Sequence, residues 1–265
     1  MLSNVARRLA GVLSAASVLG LLMLGGPSTA QTSASPVKTV VLVHGALANA
    51  SSWSKVIPLL QSSGLKVVAV EIPLTSLADD VAATRRAIGF EDGPVILVGH
   101  SWGGVVITEV GIDPKVAGLV YVAAIAPDIG QSVADLLKGY PPMPAAAEFK
   151  PSADGFLAIT PEGMMKDFAQ DLPEAEAKVL SAIESPIAAH AFDEKVTAAA
   201  WRSKPSWYIV AGQDRALSPD LELAMAKTIK ATTSTLPASH LVMLSRPAEV
   251  AAVILEAAKK AASAP

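Results

Sequence analysis

The chain has 265 residues, 51% of them hydrophobic and 17% charged, enough for one large domain or two small ones with a sizeable core, and incompatible with global disorder. Lys and Arg number 21 against 24 Asp and Glu, a formal charge of -3, which lacks the basic excess that nucleic-acid binding demands. The absence of cysteine excludes disulfides, cysteine nucleophiles, thiolate metal sites and a lipobox, and four histidines with no close pair argue against a histidine-built metal site.

The first eight residues carry Arg7 and Arg8 and no acid. Residues 9–24 are nearly all apolar, Gly25-Gly26-Pro27 breaks any helix, and Ser28-Thr29-Ala30 supplies small residues before a cleavage point. This pattern predicts a signal peptide over 1–30 and a mature N-terminus at Gln31. The apolar run is short for a bilayer span of about 20 residues. The expected product is exported, periplasmic or secreted, with no membrane attachment after cleavage. Residues 31–36 form a Ser/Thr-rich leader, expected to be flexible.

From there apolar runs alternate with helical patterns. Residues 38–43 are short and β-branched and read as a buried strand. A helix follows over 51–60, with Trp53, Val56, Ile57 and Leu60 on one face, Gly64 to close it and Pro58 awkwardly inside. Residues 65–70 read as a strand. Ser76 caps a helix running to Ile88, with Asp79 three residues on, as in a capping box. Further strands are predicted over 95–98, 118–124, 206–210 and 232–236. A helix follows Ser101, another opens at Ser218-Pro219 with proline at its tolerated first position, and a last one covers 247–261.

Continuous apolar strands alternating with helices predict an α/β fold: a mostly parallel, doubly wound sheet of about six strands with helices on both faces, over 37–265. Residues 127–200 are the exception. They hold no convincing strand, carry prolines at 127, 141, 142, 144 and 151, and lie between two strands of the sheet. They read as a small helical cap inserted before the acid-bearing strand.

Gly99-His100-Ser101-Trp102-Gly103 follows a predicted strand and opens a helix. A nucleophile lifted above a sheet edge needs a very tight strand-to-helix turn, and glycines two before and two after the serine relieve the crowding there. His44-Gly45-Ala46 ends the first strand, and in this arrangement its loop faces the nucleophile. The amides of Ala46 and Trp102 are the expected oxyanion hole. A serine needs a base. His100 points the wrong way off the turn, His44 suits loop organisation and His190 falls in the cap. His240 follows the last strand and can return to the sheet edge where ligands bind. For the acid, Asp214 leaves the fifth strand at that same edge, and the chain order Ser101, Asp214, His240 is the one expected here. Asp220 competes but suits a helix start, and Asp128, past the fourth strand, is a second competitor.

These stretches, with Val41-Leu42-Val43, Ser52-Trp53, the Gln213-Asp214 corner and the Ser239-His240 loop, resemble the α/β-hydrolases. The resemblance is nearest to the small-capped branch of bacterial esterases, plant methylesterases and hydroxynitrile lyases, and covers about 37–261. It implies a serine carboxylesterase that acts on a small or medium hydrophobic ester, with no metal or organic cofactor. Two departures speak against lyase chemistry. Leu241 stands where the lyases of the branch carry a lysine, and nothing in Val43-His44-Gly45-Ala46 supplies their threonine hydroxyl. Trp102 is bulky where many relatives are smaller, which narrows the acyl side. The alternatives are a catalytically idle small-molecule receptor on the same fold, or C–C lyase or perhydrolase chemistry on the same triad.

Overall fold

The computed structural model describes residues 37–261; the segments read as signal peptide and leader lie outside the described residues. The chain opens with β1 (Thr39–Val43), buried at all five positions. A 3-10 turn over Ala50–Trp53 precedes α1 (Ile57–Ser62). Pro58 is therefore not inside a long helix. The helix starts at Ile57, which puts Pro58 in the first turn, where its missing N–H costs nothing. Then come β2 (Lys66–Val70) and α2 (Leu77–Gly89). Ser76 caps α2 by accepting from the Asp79 amide at 3.1 Å. The Asp79 carboxylate answers to the hydroxyls of Thr75 and Ser76 rather than to the Ser76 amide, so the box closes through side chains.

β3 (Val95–His100) and α3 (Trp102–Val110) follow with a single residue, Ser101, between them. β4 (Val116–Val122) begins two residues earlier than its sequence pattern indicated. After the cap come β8 (Ser206–Ala211), α7 (Pro219–Thr228), β9 (Thr232–Leu236), α8 (Val242–Ser245) and α9 (Pro247–Ala261).

The six long strands form one sheet in the order β2-β1-β3-β4-β8-β9, and every neighbouring pair is parallel. The four inner strands are buried almost throughout, which is why they read as unbroken apolar runs. The chain winds outward from β1 to β2 and then returns to place β3 on β1's other side. Right-handed crossovers in opposite directions put their helices on opposite faces. α1 accordingly packs with α9 and α2 packs with α3. The reversal between β1 and β3 opens a crevice at their C-terminal ends, the usual ligand position in an open α/β sheet. The register Val43↔Gly99 brings the loop after β1 alongside the turn after β3.

Between β4 and β8 lies the cap: α4 (Val133–Leu137), β5 (Phe149–Pro151), β6 (Phe156–Ile159), α5 (Pro161–Gly163) running into a π-helical turn (Met164–Phe168), α6 (Glu174–Ile183) and β7 (Ile187–Ala188). The expectation of a small helical cap without strands is corrected in part: beside its helices, β5, β6 and β7 form a small antiparallel sheet. Strands of two to four residues are too short for an alternating pattern to register in the sequence. The β5–β6 hairpin turns at Gly155, whose φ of 88° suits glycine.

Candidate active site

The turn from β3 into α3 is so tight that Ser101 adopts φ 50° and ψ -119°, a conformation costly for any residue with a Cβ. Neighbouring backbone must come very close for this to happen. A Cβ on Gly99 would stand 2.4 Å from the Gly103 carbonyl oxygen, and one on Gly103 would stand 2.6 Å from the carbonyl oxygens of Val43 and His44. Gly99 is therefore a steric requirement of the turn itself, and Gly103 a requirement of its close approach to the end of β1. Ser101 also sits at the N-terminus of α3, where the helix dipole favours developing negative charge.

Two main-chain amides beside the serine have no protein acceptor: neither the Ala46 nor the Trp102 backbone N–H donates a hydrogen bond among the described residues, and both residues line the same cavity as Ser101. His44 explains how the first is held. Its Nε2 accepts from the Ile72 amide at 3.1 Å, so the ring proton belongs on Nδ1, which donates to the Gly45 carbonyl at 2.8 Å. That carbonyl and the Ala46 N–H belong to one planar trans peptide and point in opposite directions. The bond from His44 thus aims the Ala46 N–H. Burial holds His44 below its ordinary pKa, which keeps the donor–acceptor pattern of the neutral ring.

His240 and Asp214 arrive from the loops after β9 and β8. His240 Nε2 lies 2.9 Å from Ser101 Oγ, and its Nδ1 lies 2.5 Å from Asp214 Oδ2. Asp214 Oδ1 accepts from the amides of Ala216 and Leu217 at 2.7 and 2.8 Å. With the carboxylate so fixed, the His240 proton stays on Nδ1 and the Nε2 lone pair is left for the serine hydroxyl. Both residues are buried. The loops are tied to each other as well, through Gln213 N–H to the Ala238 carbonyl at 3.0 Å.

The competing residues lie elsewhere. His100 is fully buried, hydrogen-bonds the His240 carbonyl through Nε2 at 3.0 Å, and is held well below its usual pKa by burial. His190 sits in the cap, 3.4 Å from Glu194. Asp128 pairs with Arg202 at 2.7 Å on the surface, and Asp220 is exposed in the first turn of α7.

Two buried acids escape sequence reading because nothing local marks them. Asp80, on α2, accepts from Trp102 Nε1 and from the Leu74 amide, both at 2.7 Å. It thereby anchors the indole of the residue that follows Ser101, and burial raises its carboxyl to about 6. Glu222, on α7, is wholly buried behind Asp214. Its Oε2 accepts from the Ala211 amide at 3.1 Å. Burial first, and then the charge of Asp214, push it well above the ordinary carboxylate value.

Above Ser101 lies a cavity of about 180 Å³. Its walls are apolar, with Leu47 from the sheet side and Val133, Leu137, Phe149, Phe168 and Phe192 from the cap. The polar side chains that line it are those of Ser101 and His240, since the indole N–H of Trp102 is engaged by Asp80. Trp102 meets Phe192 edge-on at 5.8 Å. Among the described residues no cluster of His, Asp and Glu could hold a metal ion. The arrangement can polarise a serine hydroxyl, receive an oxyanion and enclose an apolar group.

The family model described as "Alpha/beta hydrolase family" matches residues 40–253. Methylesterase 7 of Arabidopsis thaliana is 30% identical over 262 residues, covering 84% of this chain and 97% of that protein. Among solved structures, a pyrethroid hydrolase from Sphingobium faniae JZ-2 aligns with a TM-score of 0.73 at 25% identity, over 84% of this chain and 97% of that one. Polyneuridine aldehyde esterase aligns at 0.74 with 22% identity, over 83% and 98%, a likeness of fold.

Proposed function

The chain belongs to the alpha/beta hydrolase family, and we propose that within it this protein is a serine carboxylesterase acting on a small or medium hydrophobic ester. The observation behind the reading is the relay Ser101–His240–Asp214, at 2.9 and 2.5 Å, at the floor of an apolar cavity and beside two undonated amides. The names of the relatives, a methylesterase and a pyrethroid hydrolase, point the same way.

In this mechanism Ser101 Oγ attacks the ester carbonyl carbon as its proton passes to His240 Nε2. The carbonyl oxygen becomes an oxyanion that accepts from the amides of Ala46 and Trp102. Asp214 stabilises the imidazolium and keeps its Nδ1 proton in place. His240 then protonates the departing alcohol, leaving an acyl group on Ser101. Water, deprotonated by His240, attacks that acyl group, and the acid leaves as Ser101 regains its proton. The apolar walls favour substrates without a charged group near the scissile bond, because no side chain there pairs with one.

A fluorophosphonate probe and a p-nitrophenyl ester chain-length series test this directly. The expected result is stoichiometric labelling of Ser101 and a rate optimum at short or medium acyl chains. Absence of both labelling and turnover would leave the idle-receptor alternative in place. The export reading carried by residues 1–30 is likewise a proposal. An intact Met1 on protein recovered outside the cytoplasm, seen by mass spectrometry, would overturn the cleavage.

A further inference from the structure

Within the cap segment 167–171, four residues, Asp167, Phe168, Gln170 and Asp171, touch the chain on both sides of Asp214 and on both sides of His240. On the acid side, Arg215, which follows Asp214, donates its Nε to Asp167 Oδ1 at 2.6 Å. Gln170 Nε2 donates to the carbonyl of Gln213, which precedes Asp214, at 2.7 Å. On the base side, Asp171 Oδ2 accepts from the amide of Ser239 at 2.9 Å, and the Leu241 amide donates to the Phe168 carbonyl at 3.3 Å. The Phe168 ring meets the His240 ring edge-on at 5.0 Å. The segment begins inside the π-helical turn Met164–Phe168, a bulge that re-aims side chains and recurs at functional sites.

Asp214 and His240 both sit on loops that leave the sheet, so strand pairing alone does not fix their side chains. Relay geometry tolerates little error: misplacement by about 1 Å can cost about 100-fold in rate. Each of the four hydrogen-bonded contacts grips a residue immediately beside a relay member.

We propose that residues 167–171 form a brace by which the cap aligns the acid–base pair, with Gln170 and Asp171 as its positioning residues for the acid loop and the histidine loop. This rests on the esterase reading for its kinetic consequence, though not for its structural one. The cap then has two tasks. Its apolar residues wall the cavity, and this segment holds His240 between Asp214 and Ser101, so that alignment of the relay depends on the cap being closed down on the loops.

The test uses the full mature protein and the double variant Gln170→Ala/Asp171→Ala, which unties one bond to each loop. Neither residue lines the cavity. Fluorophosphonate titration counts competent sites, and kcat is then expressed per titrated site. The expected result is a fall in kcat of about 10- to 100-fold with KM little changed and the melting transition intact. The Asp171→Asn variant, which retains an acceptor for the Ser239 amide, should recover most of the loss carried by Asp171→Ala. An unchanged kcat per titrated site in the double variant overturns the proposal, since a merely structural role would lower only the number of sites. The second readout needs no turnover: the low-field proton resonance of His240 Nδ1–H against Asp214. It should broaden or vanish in the double variant and persist in Asp171→Asn. An unchanged resonance in the double variant overturns the brace even if the wild type hydrolyses no ester, whereas absent turnover with a broadened resonance sinks the esterase reading alone.

Discussion

The two halves of the site are built by opposite means. The Ser101 turn is held by main chain pressed against main chain, with 2.4–2.6 Å of room where a Cβ would go at Gly99 and Gly103. Asp214 and His240 are held by hydrogen bonds between loops, to the amides of Ala216 and Leu217, to each other and to the cap. The first half cannot deform without unfolding the turn, whereas the second can lose its alignment while the fold persists. Damage to the nucleophile's surroundings should therefore appear as lost stability, and damage to the acid–base loops as lost rate.

The largest effects are on rate and bear on the chemical groups themselves. Ser101→Ala should abolish ester turnover, while circular dichroism and melting temperature stay near wild type. Residual turnover close to wild type would remove Ser101 as nucleophile. Asp214→Asn should lower kcat by about 10⁴-fold, as loss of the triad acid does elsewhere. The amide keeps an acceptor for the Ala216 and Leu217 N–H groups and presents the wrong partner to His240 Nδ1, so thermal unfolding should change little. A large stability loss in this variant would erase the distinction between the two halves.

Gly103→Ala is the counterpart on the steric side. The added methyl meets two carbonyl oxygens at 2.6 Å in rigid backbone, and overpacking of this kind costs about 1–3 kcal/mol or more. For a domain of this size that is about 2–12 °C in melting temperature. Differential scanning calorimetry should register it, with remaining activity tracking the folded fraction.

A smaller effect is predicted behind Asp214. Glu222 has a folded pKa raised well above its ordinary 4.5 by burial and by Asp214. Its contribution to stability is then fully present below about pH 4.5 and is lost as pH rises toward the folded value. Glu222→Gln imitates the neutral acid and does not titrate. The variant should match wild type near pH 4 and become progressively more stable than wild type from pH 5 to 9, read as the difference in melting temperature. A constant difference across that range would show Glu222 to be ionised in the fold. The smallest effect belongs to Asp128→Asn. Its partner Arg202 and both charges are at the surface, so kcat should be unchanged; a dead variant would transfer the acid's role from Asp214 to Asp128.

The strand-turn-helix around Ser101 was legible from the sequence because the spacing of its serine and glycines is local. Gly99, Ser101 and Gly103 lie within five residues; Gly99 clears the turn's own backbone at Gly103, whereas Gly103 clears the carbonyls of Val43 and His44 at the end of β1, so only the spacing of the two glycines, and not the second one's partner, is local. The inner strands were legible for a similar reason, since burial on both faces forces unbroken apolar runs at β1, β3, β4 and β8. Asp214 and His240 could be read only as residues at strand ends in a fitting order. What tertiary structure alone decided is which distant groups meet: Asp80 with Trp102, 22 positions apart, Asp167 with Arg215, 48 apart, and Asp171 with Ser239, 68 apart. The three short cap strands belong with these, being fixed by pairing between segments rather than by any period within one. Steric demands and two-sided burial act over a few bonds and so leave a pattern in neighbouring residues. A hydrogen bond between segments leaves none, because its partners are chosen by where the fold delivers them.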